Sequence, residues 1–99
     1  MALNKIEQLF AARAIIRPGT FLLKPIDAIE FLNECQKQQI RILGVDAFYL
    51  IEEKIQPSLL HSADFTLSRR HEINKNACDE ARKIIEAGNG MYFEIIIDY

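Results

Sequence analysis

Between Gln38 and Ile40 the apolar residues change their period, and that change decides which class of fold is open to this chain. Up to Gln38 they recur at helical spacing: Ile26, Ile29 and Leu32, with Ala28, Phe31 and Cys35 one face over. Pro25 suits the first position of that helix, where its missing N–H costs nothing, and Asp27 and Glu30 place negative charge near the positive end of the helix dipole. From Ile40 to Val45 the chain alternates and is rich in β-branched residues, as a strand requires. The same two periods return later. Ala77, Ala81, Ile84 and Ile85 mark a helix from about Asn74 to Ala87, which Gly88-Asn89-Gly90 stops. Met91 to Ile97 then alternates strictly, with Phe93, Ile95 and Ile97 on one side and Tyr92, Glu94 and Ile96 on the other.

The remaining segments are shorter. Leu3, Ile6, Leu9 and Phe10 predict an opening helix. Arg17-Pro18-Gly19-Thr20 has the central Pro-Gly of a type II turn, and its apolar flanks, Ala14 to Ile16 and Phe21 to Leu23, are expected to pack as loop rather than pair. Phe48 to Ile51 reads as a second strand. Glu52-Glu53-Lys54 would turn into a short third strand at Ile55-Gln56, ended by Pro57, and Asp64 to Leu67 offers an edge strand. Helices and strands in this order fit an α+β domain: a mostly antiparallel sheet of four to five strands with two or three helices on one face. Ile29, Leu32, Ile84 and Ile95 are the expected core markers.

With 99 residues, 49% hydrophobic and 26% charged, the chain can bury a core of its own and is not disordered by composition. It reads as one domain, residues 1–24 forming an extension before the core of residues 25–97. Cys35 and Cys78 have neither zinc spacing nor the density of a disulfide scaffold, so buried helix-face thiols are expected. No apolar run approaches the ~20 residues of a membrane span. A bacterial cytoplasmic protein without membrane attachment, metal or other cofactor is the expectation, and a homodimer stays open.

Charge is distributed unevenly. Residues 1–24 carry +3 and residues 27–64 carry −4, in a chain whose net charge is −2. That balance gives no basic patch for direct nucleic-acid binding. An acidic middle bearing Asp46, Glu52, Glu53 and Asp64 suits a cationic partner, although solvated surface charge is the commoner cause of such a pattern. Ser58, His61, Ser62 and Asp64 lie close in sequence, but no GxSxG elbow is present, and catalytic triads are assembled by fold geometry. A polar loop bonding its own backbone is the simpler expectation, with a small hydrolase as the sharper one. Arg69-Arg70-His71 is a small basic cluster without aromatic residues between, expected at the surface.

At Ala28-Ile29-Glu30, Asn33-Glu34 and Ile42-Leu43-Gly44-Val45-Asp46 the chain resembles the immunity proteins of the tRNA-anticodon-cleaving E-type colicins. Asp64, the helix from Ala77 to Ile85, the Gly-Asn pair and the final apolar strand follow in the same order, over about residues 25–97. The resemblance implies a non-enzymatic α+β protein that fills the RNA-binding cleft of a basic ribonuclease, its carboxylates standing in for anticodon phosphates. It places Asp46 at a motif position. The expected partner is then a basic protein toxin, met by Asp46, Glu52, Glu53 and Asp64. A stand-alone bacterial domain that binds a small molecule or another protein is the alternative, and an enzyme is the third reading.

Overall fold

A computed structural model describes residues 4–65 and 70–98, apart from the side chains of residues 59 and 70–76. Leu3, Thr66, Leu67, Arg69 and the side chains of Arg70 and His71, all part of the expectations above, lie outside that description. The chain opens with α1 (Lys5–Phe10), whose start is fixed by a capping box. Asn4 Oδ1 accepts from the Glu7 N–H at 2.8 Å, and Glu7 Oε1 accepts from the Asn4 N–H at 3.2 Å. A 3₁₀ turn at Ala11–Arg13 leads to β1 (Ile15–Arg17) and β2 (Thr20–Leu22). After α2 (Pro25–Lys37) come two long strands, β3 (Arg41–Ile51) and β4 (Lys54–Asp64). Next is α3 (Arg70–Ala87), and β5 (Tyr92–Asp98) closes the chain.

The main sheet has the order β4-β3-β5, antiparallel throughout, and β1-β2 form a second antiparallel pair. Leu23 joins the two by a bridge to Phe93, so β2 lies beside β5. The expected α+β class with a mostly antiparallel sheet is what the chain adopts. Helices α2 and α3 pack against each other and against the sheet. Their contact surface is one cluster: Phe31, Leu32 and Cys35 from α2, Cys78, Ala81 and Ile85 from α3, and Ile42, Val45, Ala47, Phe93 and Ile95 from the strands. The alternate strand residues, Gly44, Asp46, Glu94 and Ile96, therefore belong to the opposite face.

Four local expectations are corrected. The flanks of Pro18-Gly19 do pair, as Arg17↔Thr20, Ile16↔Phe21 and Ile15↔Leu22. Gly19, at φ 81°, supplies the left-handed residue the turn needs. Residues 41–51 form one strand rather than two, because the polar Asp46 is no break: it lies on the open face and keeps its place opposite Glu94. β4 runs on through Pro57, which is tolerated because β4 is an edge strand and needs no donor on its outer side. Ile26 is 70% exposed. It lies two residues before Ala28, on the far side of a helix that turns about 100° per residue.

The core markers divide. Leu32 and Ile95 are buried, while Ile29 and Ile84 are partly buried at the margin and Ile85 takes the inner place. The helix stop after Ala87 is present, and the left-handed Gly90 (φ 82°) belongs to the turn that follows, which the Met91 N–H closes on the Gly88 carbonyl. Gly88 serves close approach, since a Cβ there would collide with the ring of Phe93. Both cysteines are buried and free, as expected of helix-face thiols, and burial pushes Cys35 up to about 12.

Candidate acidic docking face

The open face of the sheet is organised around Gly44 and Asp46 of β3. Asp46 stands directly opposite Glu94 of β5, and Gly44 stands opposite both Ile96 of β5 and Asp64 of β4. Directly opposed residues have Cβ atoms roughly 4.5–5.5 Å apart, and diagonal neighbours remain within side-chain reach. Three adjacent strands thus each contribute one carboxylate to the same patch. Gly44 leaves a notch of about 210 Å³ beside Asp46 and Asp64, lined also by Leu43, Ala63 and Ile96, with Glu94 outside it. Any larger residue at Gly44 would close it, because a Cβ would stand 2.8 Å from the Ala63 carbonyl oxygen.

Electrostatics follow from that placement. Burial holds Asp46 above the usual carboxylate range, and the neighbouring Asp64 charge adds to the shift. Burial likewise raises Glu94, and Asp46 and Glu7 push it further in the same direction. Its hydrogen bond from the Phe21 N–H, 2.7 Å to Oε2, works the other way. The patch concentrates negative charge that the fold holds at a cost.

Opposite Asp46, β4 spends more residues than β3. Val45 pairs with Ala63 and Ala47 with Ser58, so residues 59–62 bulge across from Asp46 alone. Ser62 closes the gap: its Oγ accepts from the Ala47 N–H at 2.9 Å and donates to the Ser58 carbonyl at 2.7 Å. Ser58 Oγ and His61 Nδ1 are 2.9 Å apart within the same bulge, and Leu60 at its crest is 94% exposed. The Ser58, His61, Ser62 set therefore lies in a strand bulge rather than a loop. The bonds of Ser62 go to backbone, which is the arrangement of a bulge closing on itself.

Of the four carboxylates singled out in the sequence, the fold brings Asp46 and Asp64 together. Glu52 and Glu53 lie apart, at the tip of the β3–β4 hairpin, with Ile51 and Lys54 paired across the turn. Their φ values of 49° and 68° are those of a type I′ turn, which usually takes Asn or Gly. The tip is six residues from Asp46, roughly 20 Å along a strand that rises about 3.3 Å per residue. Glu94 is the patch member that sequence reasoning missed. Its position on the polar side of the last strand was legible; its register against Asp46 was not.

Among the described residues, no grouping of three or more His, Cys, Asp or Glu side chains could hold a metal ion. No described helix is long and apolar enough to cross a membrane. The chain matches no protein-family model, and no curated protein matches it.

Proposed function

We propose that the open sheet face docks a cationic protein, and that the chain acts as an immunity or antitoxin-like inhibitor of a basic bacterial toxin, a ribonuclease in the class the resemblance implies. The observation that carries this reading is the meeting of Asp46, Asp64 and Glu94 from three adjacent strands beside the notch at Gly44. A nuclease that grips phosphate presents Lys and Arg, and a partly desolvated carboxylate patch is the surface that pairs with and occludes them. Glu52 and Glu53 belong to the same proposal at its rim. A standard interface of about 800 Å² per partner is some 30 Å across and would reach from Asp46 to the hairpin tip.

The test is binding kinetics against the basic product of the neighbouring gene. Asp46→Asn, buried under the partner, should cost roughly 2–5 kcal/mol, read mainly in the off-rate. Glu52→Gln with Glu53→Gln should act mainly on the on-rate and lose its effect at high salt. Unchanged affinity in every variant, or binding indifferent to salt, would reduce the patch to surface charge.

The Ser58–His61 contact supports a second reading, a small hydrolase with Ser58 as nucleophile and His61 as base. Ester turnover by the purified protein, abolished by His61→Ala, would put that reading first. Binding of an unidentified ligand by a stand-alone domain would be the outcome if neither test succeeds.

A further inference from the structure

Among the described residues, the β1–β2 hairpin and the Leu23 that follows it are hydrogen-bonded to the main sheet at two points, and one of them is a side chain. The first is reciprocal: Leu23 N–H donates to the Phe93 carbonyl and Phe93 N–H to the Leu23 carbonyl, each at 2.8 Å. Continuing that antiparallel ladder by two residues would set Phe21 opposite Ile95. The Phe21 N–H goes instead to Glu94 Oε2 at 2.7 Å. A carboxylate replaces a main-chain acceptor at the place where β2 leaves β5.

We propose that the Glu94 carboxylate is a proton-operated latch for the β1–β2 hairpin, holding the Phe21 N–H firmly when ionised and weakly when protonated. Charge-assisted hydrogen bonds are roughly twice as strong as neutral ones, so the proton changes the strength of the tie. Phe21 and Leu23 root the hairpin in the core, and Ile16 to Gly19 are exposed. The latch therefore governs the order of that outer part.

The surroundings of Glu94 favour a latch that opens on mild acidification. From β3 it faces Asp46, which itself lies beside Asp64 of β4. From α1 it feels Glu7, and from β2 it meets the uncharged Phe21 amide. α2, which also packs on β5, lies on the other face of the sheet. Each acidic neighbour makes ionised Glu94 harder to keep, so protonation comes before that of an ordinary exposed glutamate. This inference stands independently of any toxin partner.

Amide NMR between pH 7.5 and pH 4 tests it on the free protein. The Phe21 amide proton should move upfield as pH falls, with a midpoint above the ~4.3 of an unperturbed glutamate. Over the same range, hydrogen exchange of the hairpin amides, corrected for intrinsic rate, should quicken about five- to tenfold while β3 amides stay protected. Glu94→Gln should abolish the titration and leave the hairpin at its faster rate. Asp46→Asn should keep the titration but lower its midpoint, which a purely structural role for Glu94 would not produce. A Phe21 amide that ignores pH in the wild type, or one that titrates unchanged in Glu94→Gln, would overturn the proposal. Should the Gln variant fail to fold, the wild-type and Asp46→Asn midpoints decide the matter alone.

Discussion

Neutralising Asp46 should stabilise the free protein while weakening the complex it is proposed to form. Asp46 and Glu94 stand directly opposite each other on β3 and β5, and both are held above the usual carboxylate range, burial being the larger cause in each. Like charges directly opposed across strands destabilise by roughly 0.2–1 kcal/mol. Asp46→Asn keeps the shape and removes that repulsion, so a gain of this size is expected. In a domain of this length it corresponds to about 1–8 °C in Tm. The pH dependence has a definite sign. A carboxylate whose folded pKa lies above its unfolded value binds its proton more tightly in the fold, so its ionisation destabilises. That penalty is complete above the folded value, shrinks as pH falls through it, and is gone below the unfolded value of about 4. Thermal unfolding of both proteins from pH 7 to pH 4 should show the advantage of Asp46→Asn at pH 7 and its loss by pH 4. Molar salt should shrink it at pH 7. A variant less stable than wild type at pH 7, or one whose advantage ignores both pH and salt, would show that Asp46 is not held under repulsion.

Packing and backbone predictions are read by denaturant or thermal unfolding. Leu32→Ala removes a fully buried side chain and should cost about 2–5 kcal/mol, whereas Ile26→Ala, on the exposed side of the same helix, should change stability by less than about 0.5 kcal/mol. Ser62→Ala leaves the Ala47 N–H without its acceptor and should cost about 1–3 kcal/mol; a neutral result would mean that water closes the bulge equally well. Glu53→Gly relieves a left-handed residue at the hairpin tip and should gain up to about 1 kcal/mol, with any loss pointing to a stabilising role of the Glu53 side chain.

The elements most legible in the sequence are those whose burial has a single period. α2 runs over Pro25–Lys37, where Pro25 and the Ala28, Phe31, Leu32 and Cys35 stripe place it, and β5 follows the alternation of Met91 to Ile97. Misreadings gather where local chemistry and tertiary context disagree. Asp46 reads as a strand break because a lone carboxylate between apolar residues looks like a turn, yet it lies on the face turned away from α2 and α3, and the strand continues through it. Pro57 reads as a terminator because it cannot donate, yet an edge strand asks for no donor there. Ile26 reads as core because its neighbours are, and only the direction of the packed stripe shows that it faces away.

The candidate site was half legible for a different reason. Asp46 and Asp64 could be named from their sequence positions, but which carboxylates meet depends on strand register, and one residue of slip would send each to the other face. That register is set by backbone irregularities that no local pattern announces: the type I′ turn at Glu52-Glu53, the bulge at residues 59–62 and the shift between Ile42 and Gly44. Together they put Asp46, Asp64 and Glu94 on adjacent strands of one face and leave Glu52 and Glu53 at the far tip. A fold under selection for stability alone has no use for Glu94 opposite Asp46, where an opposite charge or a Thr pair would add stability instead. Local choices that oppose the stability of the free chain collect at functional sites. On this face the opposition is electrostatic, and a cationic partner is the ligand that would relieve it.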